Sequence, residues 1–230
     1  MKTLGLIGGL GPETTVEYYR LIIEQYRAKS NGSYPSIIIN SIDLSRLLAW
    51  MNAGELDKAA DYCSAEIERL HQAGVDFAAL ASNTPHIVFD KIRERSKVPL
   101  ISIVEAACEK VQSLNLRTVG LFGTRFTMQA DFYKKTFEAA GIKLITPNEN
   151  EQTFIHEKYM NELLNNQFLP ETRTQVLAVV NALKSREDID AVVLGGTELP
   201  LLIRAEQHNG VLLLDTARIH VDALVRHLLT

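Results

Sequence analysis

The 230-residue chain is 46% apolar and 23% charged with a net charge of −4, enough core-forming sequence for one large or two small globular domains. It has no basic run to favour nucleic acid as a partner and no stretch of ~18 apolar residues to span a bilayer. No signal-peptide pattern follows Met1, so the expected compartment is the cytoplasm.

Thr3-Leu4-Gly5-Leu6-Ile7 reads as a first strand, and Gly8-Gly9-Leu10-Gly11-Pro12 as the turn into a helix. The expected inner face of that helix carries Val16, Tyr19, Ile23 and Tyr26, and Pro12 suits its first turn. The turn either brings backbone N–H groups to an anion or is a tight turn with no ligand. It is not a dinucleotide fingerprint, because no glycine lies three residues beyond Gly11. Ile37-Ile38-Ile39 is a second strand, ending in Asn40, Ser41 and Asp43. An apolar helical stripe through Leu56, Ala59, Ala60, Cys63, Ile67 and Leu70 then stops at Gly74.

The run from Asp76 to His86 begins as a buried strand and opens into Ser82-Asn83-Thr84-Pro85-His86. In open α/β sheets, ligands lie beyond such carboxyl ends. A helix from Ile87 to Arg95 and a strand from Pro99 to Ile103 follow. The pattern then restarts. Thr118 to Thr124 mirrors Thr3 to Gly9, Asp190 to Pro200 mirrors Asp76 onwards, and Leu212 to Asp215 mirrors Pro99 to Ser102, all at offsets of 113 to 115. Between them lie a weak strand from Ile142 to Ile145 and two helices between Glu151 and Ser185, which either form a lid or pack on the second sheet. The last helix is expected to bury Ala217, Val221, Leu224, Val225 and Leu228. The repeat predicts an α/β chain of two similar doubly wound, parallel-sheet halves about a pseudo-twofold axis, with a cleft between them.

Such a pair of loops suits proton removal on one face of a stereocentre and delivery on the other. One loop offers Ser82, Asn83, Thr84 and His86, and its counterpart offers Thr197 and Glu198; Gly9 and Thr124 come from the first loop of each half. Asn83, Thr84, Thr124 and Thr197 suit either a ligand carboxylate or the caps of the helices that follow. Glu198 is either an acid or base, or favourable charge on a first helical turn. His86 is either a base or a residue that orients its loop. Ser82 has no activating partner in any triad-like motif. Cys63 and Cys108 sit on apolar helical stripes and read as buried structural thiols. The histidines lack metal-ligand spacing, so no metal is expected.

The stretches Gly5-Leu6-Ile7-Gly8-Gly9-Leu10-Gly11-Pro12, Asn83-Thr84-Pro85-His86, Gly123-Thr124, Gly195-Gly196-Thr197-Glu198 and Asp215-Thr216-Ala217 together carry a resemblance. Over essentially its whole length the chain resembles the aspartate/glutamate racemase superfamily, most nearly the aspartate racemase and broad amino-acid racemase branch. The resemblance implies two flavodoxin-like halves with a small amino acid between them, no cofactor (pyridoxal phosphate included), and a homodimer. The repeat puts the boundary near residue 98, and the resemblance returns the C-terminal strand and helix to the first half, giving 1–98 with 212–230 and 99–211.

The resemblance also implies two cysteines, one before Asn-Thr and one before Thr-Glu, which move the α-proton from opposite faces. At those catalytic positions this chain has Ser82 and Gly196. A thiol titrates near pH ~8.5 and is readily made a base, whereas a serine hydroxyl is far weaker and glycine has no side chain. The substrate carboxylate would fall to Asn83, Thr84, Thr124 and Thr197 with the Gly9 backbone. Arg46 is the candidate for a distal carboxylate, and Asn165 stands about where some relatives carry lysine. The expected function is therefore an amino-acid racemase-type isomerase with impaired or altered machinery. The alternatives are a related decarboxylase or isomerase, or a carboxylate-binding pseudoenzyme.

Overall fold

The first apolar run becomes β1 (Thr3–Gly8), buried along five of its six residues. The computed structural model describes residues 2–230, which divide into one unit reaching to Ile103 and including His220–Thr230, and a second unit spanning Val104–Ile219. In the first unit β1 leads through α1 (Pro12–Lys29) to β2 (Ser36–Ser41), then through α2 (Leu44–Asn52) and α3 (Leu56–Gln72) to β3 (Phe77–Leu80). The strands are parallel and ordered β2-β1-β3. A 3-10 turn (Thr84–Val88) and α4 (Phe89–Arg95) follow, slightly earlier than the helix expected from Ile87. Beyond β3, the expected strand at Pro99 shrinks to one parallel bridge, Ala78 to Leu100, because α5 (Ile103–Ser113) starts there.

The second unit repeats this plan with β4 (Thr118–Gly123), α6 (Arg125–Gln129), α7 (Phe132–Ala139), β5 (Lys143–Ile145), α8 (Glu149–Asn161), α9 (Pro170–Glu187) and β6 (Ala191–Gly195). Next come α10 (Leu199–Ile203), β7 (Gln207–His208), β8 (Val211–Asp215) and α11 (Thr216–Leu229). The sheet order is β5-β4-β6-β8-β7, parallel except for β7. Thus β5, β4, β6 and β8 repeat the order of β2, β1, β3 and the Leu100 bridge.

Equivalent residues do equivalent work. Asp76 accepts the Thr3 N–H at 2.6 Å, and Asp190 accepts those of Arg117 and Thr118 at 2.9 and 3.0 Å. A side chain on Gly5 would press on Leu70 and Val75, and one on Gly120 on Leu183. Helices α8 and α9 pack on the second sheet: Ile155, Tyr159, Val176, Val180 and Leu183 share a buried cluster with Val192 and Leu194 of β6. Each such fully buried aliphatic side chain contributes roughly 1.5–3 kcal/mol. Of the two alternatives for these helices, packing is the one the core uses.

Two expectations are corrected. The buried stripe of α1 is Thr14, Tyr18, Leu21, Ile22 and Tyr26, while Val16 and Tyr19 are 47% and 49% exposed. Tyr18 is drawn in because its hydroxyl donates to His220 Nδ1 at 2.9 Å, so the polar tip is satisfied. The unit boundary also moves. Residues 99–103 stay with the first unit through the bridge to β3, and 212–219 stay with the second because β8 pairs with β6. The chain re-enters the first unit at His220, whose Nε2 also donates to the Ile101 carbonyl at 3.0 Å.

Candidate functional site

Both candidate loops leave the carboxyl ends of parallel strands, β3 between β1 and the Leu100 bridge in the first unit, and β6 between β4 and β8 in the second. After β3, Ser82 and Asn83 are 7% and 2% exposed, and Thr84 is half-buried at the start of the 3-10 turn. Asn83 makes no side-chain cap to that turn, so capping does not account for it. His86 directs Nδ1 to the Ser82 carbonyl at 3.0 Å, not to the serine hydroxyl, and Nε2 accepts the Ile103 N–H at 3.3 Å. Both ring nitrogens are thus committed to backbone. Burial, with His220 next, pushes the His86 imidazole down to about 3, so it stays neutral. Held by backbone at both ring nitrogens, His86 suits the loop-orienting alternative.

Gly9 closes the first turn. It sits at φ +78° with the Ile42 backbone where a Cβ would lie, a conformation and approach that require glycine. Its N–H donates to Thr15 Oγ1 at 2.9 Å, so that amide serves the turn. In the second unit Thr124 caps α6, accepting the Thr127 N–H at 3.4 Å. Arg46 is exposed on α2, its guanidinium 4.8 Å from the Trp50 ring centre and 5.2 Å from that of Tyr62. These stacked contacts hold it along the helix face.

The loop after β6 is built differently. Glu198 stands at the head of α10 but makes no side-chain cap to it. At 2% exposure, its carboxylate turns inward and accepts the Tyr159 hydroxyl and the Thr197 hydroxyl at 3.0 Å. Burial first, and then the adjacent carboxylate, raise the Tyr159 phenol well above its usual value. A Cβ on Gly196 would strike the edge of the Tyr159 ring, with the ring Cζ 3.1 Å and the hydroxyl oxygen 3.2 Å away.

Tyr159 was not among the residues singled out from the sequence. The available signal was the glycine itself: a close-packed interior must fill the place of a missing side chain. Cys63 and Cys108 are buried on α3 and α5, and burial raises both thiols, Cys63 to about 12. Neither stands in a candidate loop.

The model of the Asp/Glu/Hydantoin racemase family matches residues 7–224. The chain belongs to that family. It is 28% identical over 147 residues to a broad specificity amino-acid racemase of Bacillus subtilis, a match covering 62% of this chain and 63% of that protein. The match therefore spans slightly less than two thirds of the relative. An aspartate racemase homologue from Pyrococcus horikoshii has the same fold over 100% of both chains, with a TM-score of 0.83 and 33% identity. The Picrophilus torridus aspartate racemase shares the fold at a TM-score of 0.81, with 20% identity over 99% of this chain and 94% of that one. The α/β architecture of two parallel-sheet units is that of the racemase family. Among the described residues no helix is long and apolar enough to cross a membrane.

Proposed function

We propose that this racemase-family chain binds a small amino acid, without pyridoxal phosphate, and labilises its α-hydrogen slowly, because neither expected thiol is present. Ser82 and Gly196 stand at those two positions. The α-carboxylate is assigned to Asn83, Thr84, Thr124 and Thr197. The observation that carries this reading is the inward-facing polar group around Glu198, held at the carboxyl end of β6 by Thr197 and Tyr159. Buried polar clusters at strand ends are where α/β proteins do chemistry. Since Arg46 is stacked on aromatic rings, small neutral amino acids are preferred over aspartate.

The reading includes a cytoplasmic homodimer. The exposed Val16, Tyr19 and Ile39 of the first unit would gain from being covered, and light scattering reads the oligomeric state.

The test is incubation with L- and D-amino acids in D₂O, following the α-proton signal by NMR. Loss of signal for one amino acid is expected, with racemisation slower than ~1 s⁻¹. Rapid racemisation of aspartate would refute the reading. A second reading, a non-catalytic amino-acid binder, is favoured by the neutral, backbone-bound His86 beside Ser82. It predicts thermal stabilisation by an amino acid with no loss of α-proton signal.

A further inference from the structure

Residue 196 is where the family resemblance expects a proton-moving side chain, and this chain has only hydrogen there. The space is nevertheless filled. The Tyr159 ring edge occupies the position of a residue-196 Cβ, with its hydroxyl oxygen 3.2 Å from that point. A cysteine at 196 and Tyr159 in this position are therefore mutually exclusive. The hydroxyl donates to Glu198 Oε2, and the Thr197 hydroxyl supports the same oxygen at 3.0 Å.

This arrangement is expensive as packing. Tyr159 and Glu198 are 5% and 2% exposed, and Tyr159 packs in a cluster of buried hydrophobic side chains. Phenylalanine and an aliphatic residue would fill the same volume without desolvating a carboxylate. A buried phenol–carboxylate pair at a strand's carboxyl end, in the place of an absent proton-moving side chain, is better explained by chemistry.

We propose that Tyr159 is the proton-transfer group of the second unit, a catalytic residue with Glu198 as the positioning carboxylate behind it. The proposal rests on the reading that the chain acts on the α-carbon of a bound amino acid. The α-C–H bond breaks as its proton passes to Tyr159 Oη, and the Oη–H proton passes to Glu198 Oε2. The C–H electron pair remains on the α-carbon, spread into the α-carboxylate, and reversal returns a proton along the same path. Tyr159 begins and ends as a neutral phenol. That is the form burial and the adjacent carboxylate enforce, so no free phenolate is required. Ser82 has no comparable partner, because His86 is committed to backbone. Proton movement is therefore one-sided: one enantiomer exchanges its α-hydrogen and keeps its configuration.

The experiment uses the full-length chain with L- and D-alanine, -serine, -lysine and -aspartate in D₂O, with melting temperatures measured in parallel. Wild type is expected to exchange the α-proton of one enantiomer of at least one amino acid. Tyr159→Phe, which keeps the ring, should lower kcat for exchange by roughly 10²-fold or more at unchanged KM. Glu198→Gln, which keeps the volume but accepts no proton, should do the same and still be stabilised by the amino acid. Undiminished exchange in both variants overturns the relay but leaves the α-carbon reading standing. Exchange of both enantiomers at equal rates overturns its one-sidedness. No exchange in wild type, with a raised melting temperature in the presence of an amino acid, overturns both the relay and the α-carbon reading.

Discussion

The loops after β3 and β6 hold equivalent places in two sheets of the same strand order, yet they spend their titratable groups in opposite ways. The first loop uses His86 to tie backbone to backbone, between the Ser82 carbonyl and the Ile103 N–H. The second aims Glu198 at other side chains, Tyr159 and Thr197. At the 114-residue offset Glu198 corresponds to Thr84 and His86 to Pro200, so neither device has a copy in the other half. A polar group whose lone pairs and protons are all taken by backbone sets a shape. One bonded to another ionisable side chain can exchange a proton with it. The repeat supplied two similar frames, one carrying a backbone-bound histidine and the other a carboxylate bonded to a phenol.

The largest expected effect that separates the halves is acid sensitivity. The first unit buries two neutral histidines, His86 held down to about 3 and His220 to about 4, both chiefly by burial. Unfolded, each titrates near 6.5. The unfolded chain therefore binds more protons between those values, and stability present above pH ~6.5 is lost as pH falls towards the folded values. From pH ~7 to ~5 the loss is about 2 kcal/mol for each histidine. In the second unit His156 is shifted in the same direction but only half-buried, so its share is smaller. The single tryptophan, Trp50, lies on α2 of the first unit. Urea titrations at the two pH values, read by its fluorescence, should show the drop, and His220→Gln should remove about half of it. A midpoint independent of pH would mean that these histidines are not held neutral by the fold.

A smaller effect comes from placing a thiol in each loop in turn. Gly196→Cys drives a Cβ into the Tyr159 ring, and such overpacking costs about 1–3 kcal/mol. It should also separate Tyr159 from Glu198 and so abolish α-proton exchange. Ser82→Cys changes one atom at a 7% exposed position and should cost less than about 1 kcal/mol. Urea midpoints measured side by side decide the matter. If the two variants are equally stable, Tyr159 is not fixed in the place described for it.

How much of this could be read in the sequence follows from which interactions are periodic. Strands, their order and the two loop positions recur at offsets of 113 to 115, so Asp76 with Asp190 and Leu80 with Leu194 are visible as pairs. The family resemblance was legible in those same loops. The buried face of α1 was not, because apolarity favours Val16 and Tyr19. The deciding bond, Tyr18 to His220, spans 202 residues. The repeat does offer a clue, since Tyr18 and the fully buried Tyr133 are 115 apart. The unit boundary shows the same tension: the repeat pairs Leu212–Asp215 with Pro99–Ser102, but a boundary drawn near residue 98 left Pro99–Ser102 in the second half, whereas they stay with the first unit. The resemblance drew Leu212–Asp215 into the first half. Tyr159 lies on α8, which holds the place of α2, but at the 114-residue offset it falls against Ser45, so only the empty position at Gly196 pointed to it.

The smallest effect tests whether the two halves are equivalent where they look most alike. Asp76 and Asp190 precede the equivalent strands β3 and β6, and both accept N–H groups from the start of the neighbouring strand. Asp76 holds one such group, at 2.6 Å, and Asp190 holds two on a single oxygen. Those two backbone bonds keep the Asp190 carboxyl below the ordinary carboxylate range. Its contribution is accordingly present above the unfolded value near 3.8 and fades as pH falls through the lower folded one. An asparagine keeps an oxygen acceptor but removes the charge, and a charge-assisted bond is worth roughly twice a neutral one. Asp190→Asn should therefore cost about 1–2 kcal/mol at neutral pH, and Asp76→Asn about half as much. Urea midpoints of the two variants at pH ~7 give the comparison. An equal loss would make the second backbone bond at Asp190 energetically silent, and the two strand starts would then be the same device in energy as well as in form.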